Sequence, residues 1–266
     1  MNDISRGQLI RSAAEVYATF FVPALFAEWA PRMADAAKLG PGQTALDVAC
    51  GTGVFAREAL RRVDPSGTVS GLDCNEDMLA VARREEPEIG WRHGFAEALP
   101  FADDSFDVVA CQFGLMFFED RRTALQQMWR VLKPGGRVVV AVWDALERSP
   151  GYASMTELLR RLFGDQVADE LRAPFVLGDP TLLRVLFTEA GIGRAEVNTI
   201  VGAACFPSID DWVHTDIKGW TLADRINDAQ YDLLRREART QLAHYTRPDG
   251  KVSFDSPAHI VMAQKK

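Results

Sequence analysis

The segment Ala45-Leu46-Asp47-Val48-Ala49-Cys50-Gly51-Thr52-Gly53 carries the sharpest chemical signal in the chain. An apolar run with an embedded acid ends in two glycines, and a helical pattern follows. Gly51 and Gly53 permit dihedrals and a close approach that a side chain would forbid, so a ligand is expected to press against backbone here. Asp47 can face a cationic or hydroxyl-bearing group. Gly51-x-Gly53-x-x-Ala56 also fits a dinucleotide fingerprint, with Asp73 twenty residues beyond Gly53. A carboxylate at a strand end can accept two hydrogen bonds from a ribose diol; the competing reading is a helix cap or turn residue. The loop alone therefore points to a ribose-bearing ligand without choosing the cofactor.

These residues need strands and helices to hold them. Thr44 to Ala49 reads as a short apolar strand and Val54 to Val63 as a helix, closed by Asp64-Pro65-Ser66-Gly67. Thr68 to Asp73 is the next strand. Asn75 caps a helix running to about Arg84, with Met78, Leu79 and Ala82 on one face. Strands follow at Ile89 to His93 and Phe106 to Cys111; the second is nearly all apolar, as a strand covered on both faces should be. Leu125, Met128, Trp129 and Leu132 mark a helix from Arg121 to Leu132, and Lys133-Pro134-Gly135-Gly136 stops it before a strand from Arg137 to Trp143. Such alternation implies a parallel sheet with helices on both faces.

Three further segments are His93-Gly94-Phe95-Ala96-Glu97-Ala98-Leu99-Pro100-Phe101, Ser105-Phe106-Asp107-Val108-Val109 and Trp129-Arg130-Val131-Leu132-Lys133-Pro134-Gly135-Gly136-Arg137. In this order after the glycine loop, they resemble a class I S-adenosylmethionine-dependent methyltransferase, similar to the ubiquinone/menaquinone-biosynthesis type. The resemblance is strong from about Thr44 to Trp143. It implies S-adenosylmethionine as cofactor, held at its methionine part by Asp47 and the backbone of Ala49, Gly51 and Gly53. It implies ribose contact by Asp73, adenosine contact by Cys74 and Met78, and adenine-edge contact by Ala96 and Glu97. Gln112 and Phe113 would lie near the sulfonium and the acceptor, and Tyr17, with Phe20, would close a lid. Related enzymes often carry an acid or asparagine where Cys74 stands, so its contact is expected through backbone or apolar surface. Helix-core packing competes for Met78, and plain core packing for Tyr17, Phe113, Phe117 and Phe118.

The expected function is methyl transfer to a small, apolar or aromatic acceptor. A sulfonium is an activated leaving group, so alignment and water exclusion do much of the work. A base matters mainly for a hydroxyl of high pKa. His214 is the candidate, beside Trp212 and Asp216; His93 and His259 read as structural, and His244 is weaker. Trp143 and Asp144 are candidates for the substrate wall. No clustered acidic set suggests a metal, and Asp103-Asp104 reads as a solvated turn. A cofactor-binding protein without turnover and, more distantly, a nicotinamide-dependent oxidoreductase are the alternatives.

The expected architecture is a doubly wound, Rossmann-like α/β fold. Its seven-stranded sheet has an antiparallel last strand and helical lid insertions. A single domain over 1–266 would comprise a helical cap (1–40), a cofactor-binding core (41–145), and lid helices with the last two strands (146–266). Residues 196–205 read as one long strand, residues 210–245 as mostly helical with Trp212, Trp220 and Tyr231, and residues 258–263 as the final strand. Residues 13–29 are largely apolar after Arg6 and Arg11, but Glu15 and Pro23 interrupt them. They read as two amphipathic helices, with Pro23 at the first turn of the second rather than as a secretory leader. No run reaches a membrane span.

The chain has 266 residues, 47% hydrophobic and 25% charged, and a net charge of −7. That balance is globular and lacks the basic footprint of a nucleic-acid binder. The expected partner is a small-molecule acceptor; oligomeric state is open. Cys50, Cys74, Cys111 and Cys205 form no CxxC and read as free thiols of a reducing cytoplasm.

Overall fold

The computed structural model describes residues 11–219, 222 and 225–266; Arg6 and Trp220 lie outside the described residues. Strands β1 (Thr44–Val48), β2 (Thr68–Asp73), β3 (Gly90–His93), β4 (Phe106–Gln112) and β5 (Leu132–Trp143) alternate with helices α3 (Val54–Val63), α4 (Glu76–Glu85) and α5 (Arg121–Val131). Before them come α1 (Arg11–Val16), a π-helical stretch Tyr17–Phe26, and α2 (Trp29–Ala36). After them come α6 (Pro150–Phe163), α7 (Asp165–Arg172), α8 (Pro180–Glu189), β6 (Glu196–Ile200), β7 (Ala203–Phe206), α9 (Ile209–Lys218), α10 (Asp228–Gln241), β8 (Val252–Asp255) and β9 (Ala258–Gln264).

Seven strands form one sheet in the order β3-β2-β1-β4-β5-β9-β6. The first five pair in parallel, while β9 runs antiparallel to both β5 and β6. The expected doubly wound sheet with its antiparallel last strand is therefore present. Its centre is dry: Leu46, Val108 to Cys111 and Val138 to Val142 are fully buried. Strands β1 and β4 flank the point where the order reverses, so a crevice opens beyond their carboxyl ends.

The opposite edge of the sheet is tied by polar groups. Asp107 Oδ2 accepts from the Thr44 backbone N–H at 2.8 Å, the Thr44 hydroxyl at 2.7 Å and Lys133 Nζ at 2.9 Å. These bonds join the starts of β1, β4 and β5. Two of the sequence motifs thus hold strands in register at the edge away from the crevice. Asp103 and Asp104 are more than a solvated turn: they meet Arg130 at 2.6 Å and Lys265 at 2.8 Å. Lys265 also donates to the Trp129 and Leu132 carbonyls at the end of α5, where unsatisfied acceptors and the helix dipole favour a cation.

Three expectations change. Pro23 sits inside the π-helical stretch, not at the start of a second helix. There Ala27 N–H donates to Val22 O, five residues back, and this wider winding tolerates a residue that has no N–H of its own. Residues 196–205 break into β6 and β7, because β7 leaves the main sheet to pair with β8. Strand β8 escaped the sequence reading: at four residues it is too short to show a period. It matters, because Phe254 on β8 backs Tyr152 and Trp212 of the helices above it, with ring centroids 5.4 Å and 4.7 Å away. Gly151 gives Phe254 its space, since a Cβ there would collide with that ring.

Candidate active site

The glycine loop folds as its residue types require. Ala49, Gly51 and Gly53 all have positive φ, at 56°, 52° and 86°. Gly53 then starts α3. A Cβ on Gly53 would stand 2.5 Å from Trp91 Cη2, and one on Gly71 would also strike the Trp91 ring. Trp91 is pinned by its indole N–H donating to Glu86 O at 2.8 Å. Gly53 therefore shapes the loop from beneath and does not line the cavity.

Two carboxylates brace this loop. Asp73 Oδ2 accepts from Gly51 N–H at 2.7 Å, and Oδ1 from Asn75 N–H at 2.8 Å. Cys74 N–H adds a third backbone hydrogen bond to this carboxylate, so of its roughly four acceptor sites one is left for a further donor. Asp47 Oδ2 accepts from Ala56 N–H at 3.0 Å, in the first turn of α3, while Oδ1 is buried without a partner among the described residues. Burial raises both carboxyls; for Asp47 the increase is large.

A cavity of about 520 Å³ opens over the strand ends. Of the residues expected at the cofactor, Tyr17, Ala49, Gly51, Asp73, Cys74, Met78, Ala96, Glu97, Gln112 and Phe113 line it. Asp47 lies instead in a small adjoining recess shared with Tyr17, Thr52 and Gln112. In that recess Asp47 Oδ1, Thr52 Oγ1 and Gln112 Oε1 are all buried without a partner among the described residues. Gln112 is held from behind, its Nε2 donating to Phe26 O at 3.1 Å. Unpaired buried acceptors are costly, so the recess is suited to a ligand rich in donors. The α-ammonium of S-adenosylmethionine is such a group, and its ribose diol can donate to the acceptor site that Asp73 has left. The residues present fit this cofactor.

The rest of the cavity is aromatic. Phe113 stacks on Trp143 with centroids 3.9 Å apart, and Trp29 closes edge-on behind both. Phe113 has φ 57°, a conformation unfavourable for a bulky side chain. That strain turns the ring over the crevice just past β4. Phe117 and Phe118 join the same wall, as do Phe21, Leu25 and Phe26 from the π-helical stretch. Tyr17 stacks on Phe26 at 5.3 Å, and burial pushes its phenol far above the ordinary value. Phe20, expected beside Tyr17, points elsewhere and meets His214 edge-on at 5.3 Å.

The histidines take no part in the cavity wall. His214 packs between Phe20 and the Tyr231 hydroxyl, 3.4 Å from its Nδ1, so the candidate base is displaced from the site. The reason is helical phase: two positions further along α9, Asp216 faces the cavity instead. His259 Nε2 donates to Gly178 O at 3.0 Å, which leaves Nδ1 to accept from Thr199 at 2.8 Å. His93 Nε2 donates to Cys74 O at 3.0 Å. Both are structural. The proposed wall pair separates: Trp143 lines the cavity, but Asp144 lies 3.2 Å from His259 Nε2. Sequence reasoning missed Tyr152, Leu171, Phe175 and Asp216, which reach the cavity from α6, α7, the turn after α7, and α9. No spacing rule links residues so far apart in the chain. Among the described residues no cluster of three metal-ligating side chains occurs, and no helix is long and apolar enough to cross a membrane.

Comparison with known proteins agrees with this fold. A demethylmenaquinone methyltransferase of Renibacterium salmoninarum is 41% identical over 133 residues, covering 50% of this chain and 55% of that protein. Another, from Shouchella clausii, is 35% identical over 184 residues, covering 62% of this chain and 76% of that protein. The chain thus spans between about half and three quarters of these two relatives. A phosphoethanolamine N-methyltransferase of Haemonchus contortus, solved with S-adenosylhomocysteine, shares the fold with a TM-score of 0.63. It is 19% identical, covering 98% of this chain and 59% of that one. Residues 23–169 match the family described as ubiE/COQ5 methyltransferase, which takes in the glycine loop, Asp73, the Glu97 segment and the strand β4 end. The chain belongs to the ubiE/COQ5 methyltransferase family.

Proposed function

We propose that the protein transfers the methyl group of S-adenosylmethionine to a small, largely apolar, aromatic acceptor. The observation that carries this reading is an aromatic-walled cavity with an adjoining recess of the opposite chemistry: unpaired acceptors beside the glycine loop in the recess, and stacked aromatic rings beyond the Gln112–Phe113 corner in the cavity. When bound, the cofactor supplies an activated methyl group on a positively charged sulfur.

The chain's own residues would do the rest. Asp47, Thr52 and Gln112 would hold the amino-acid end, and Asp73 the ribose. Cys74 and Met78 would flank the adenosine, with Ala96 and Glu97 at the adenine edge. Phe113 and Trp143 would present ring faces beside the reacting centre, where a cationic methyl is favoured. Tyr17, Phe21 and Phe26 would close over it and exclude water, which raises the yield of an aligned displacement.

The names of the relatives make a demethylmenaquinone-like ring one member of the acceptor class to test. The family match ends at residue 169, however, while Leu171, Phe175 and Asp216 lie beyond it. That part of the wall therefore takes no support from the family match. The test is calorimetric titration with S-adenosylhomocysteine, followed by transfer of a labelled methyl group to a panel of aromatic acceptors. Micromolar cofactor binding and a labelled product are expected. Folded protein that binds no S-adenosylhomocysteine refutes the reading; binding without a product from any acceptor favours a cofactor-binding protein instead.

A further inference from the structure

We propose that Asp216, positioned by Tyr152, forms a docking subsite for a hydroxyl group on an otherwise apolar, aromatic acceptor. The proposal rests on the methyl-transfer reading of the same cavity and names what the far end of that cavity recognises.

Asp216 lies within α9 and is 1% exposed, yet it lines the cavity. Its Oδ1 is 3.5 Å from the Tyr152 hydroxyl, which donates to it across from α6. Its Oδ2 is buried with no hydrogen-bond partner among the described residues. Trp212, one turn earlier on α9, is close enough to influence the carboxyl, but its indole N–H is outside hydrogen-bond geometry and also unpaired. The surroundings are apolar: Phe175 meets Tyr152 at 5.7 Å, and Leu171 and Pro174 complete that part of the wall. A carboxyl placed there costs stability unless something pairs with it.

The chemistry of the partner follows from these contacts. Oδ2 needs a group that reaches it through an aromatic-walled space. Burial pushes the Asp216 carboxyl well above its ordinary range. A hydroxyl both donates and accepts, so it pairs with the carboxyl in either protonation state. An acidic group would be repelled by the ionised form, and an aliphatic chain would leave Oδ2 unpaired. Tyr152 keeps Oδ1 engaged and so directs Oδ2 toward the ligand. Phe254 and Trp212 pack against the Tyr152 ring and fix its place.

The experiment titrates the S-adenosylhomocysteine-saturated protein with 1-naphthol and with 1-fluoronaphthalene, which has the same ring but no donor. Wild type is expected to bind 1-naphthol at least about tenfold more tightly, the scale of one hydrogen bond to a charged or strongly polar group. Asp216→Leu should reduce that preference to under about threefold, and Tyr152→Phe should reduce it partly. S-adenosylhomocysteine affinity is measured in every variant and reports folding. Equal affinities for the two probes in wild type, binding of neither, or a preference that survives Asp216→Leu would overturn the subsite. The wild-type comparison decides even if the leucine variant does not fold. Failure of wild type to bind S-adenosylhomocysteine would sink the methyl-transfer reading instead.

Discussion

Asp73 offers the most direct test of the cofactor geometry. Its two oxygens already accept the Gly51 and Asn75 N–H groups, at 2.7 and 2.8 Å, and Cys74 N–H adds a third backbone bond, which leaves one acceptor site for a ribose hydroxyl. Asn at this position keeps the shape and one accepting oxygen but puts an NH2 where the other oxygen was. One hydrogen bond to a charged group is worth about 1.5–3 kcal/mol, so Asp73→Asn should weaken S-adenosylhomocysteine binding by roughly 10- to 100-fold. Asp73→Ala should lose more, because the loop also loses its brace at Gly51. Asp103→Ala is the control: its carboxylate is 72% exposed and pairs with Arg130 in the loop before β4. Burial raises Asp73 above its ordinary value, and backbone hydrogen bonds from Asn75, Gly51 and Cys74 offset this only in part. Ribose donors favour the ionised form, so affinity should be full above the raised pKa and fall below it. The fall should begin at a higher pH than an ordinary carboxylate would give, and Asp73→Asn should flatten it. Calorimetric titration between pH 5 and 8, values chosen to span roughly the range in which raised carboxylates titrate, measures both effects. Affinity within threefold of wild type in folded Asp73→Asn would refute the ribose assignment.

Other expectations concern the frame and the displaced histidine. Gly53→Ala combines a positive φ with a collision against Trp91 and should cost about 1–3 kcal/mol, seen as a lower denaturation midpoint in urea. Burial alone would raise Asp107, but hydrogen bonds from Thr44 and the Lys133 ammonium more than offset it and hold the carboxyl below its ordinary value. Its contribution is therefore fully present above the unfolded pKa of about 4 and is lost as pH falls through the lower folded value. Asp107→Asn should be less stable than wild type at pH 7, and the difference should shrink below about pH 4 in acid-unfolding curves. His214→Ala should leave kcat within about twofold, because the ring packs on Phe20 and Tyr231 away from the cavity. A large fall in kcat with unchanged stability would restore the histidine as a base.

The cofactor half of the site was legible in the sequence because it is local. Gly51 and Gly53 announce positive dihedrals, Asp73 ends a recognisable strand, and parallel strands must bring their carboxyl ends to one edge. Short-range patterning also placed α3, β2 and α5 to within a residue or so of where they lie. Even there, spacing could not separate lining from support: Gly53 turned out to seat Trp91, and Asp107 and Lys133 clamp the opposite edge of the sheet. The acceptor half depends on tertiary structure. Tyr152 and Asp216 are 64 residues apart and meet only because α6 and α9 converge over the sheet. Their convergence rests on Phe254, carried by a four-residue strand that finds its partner in β7. Whether α9 turns His214 or Asp216 toward the cavity is a matter of helical phase against that packing. Phase is settled by which face buries the most apolar surface in three dimensions, and no run of letters along α9 specifies the surface it will meet.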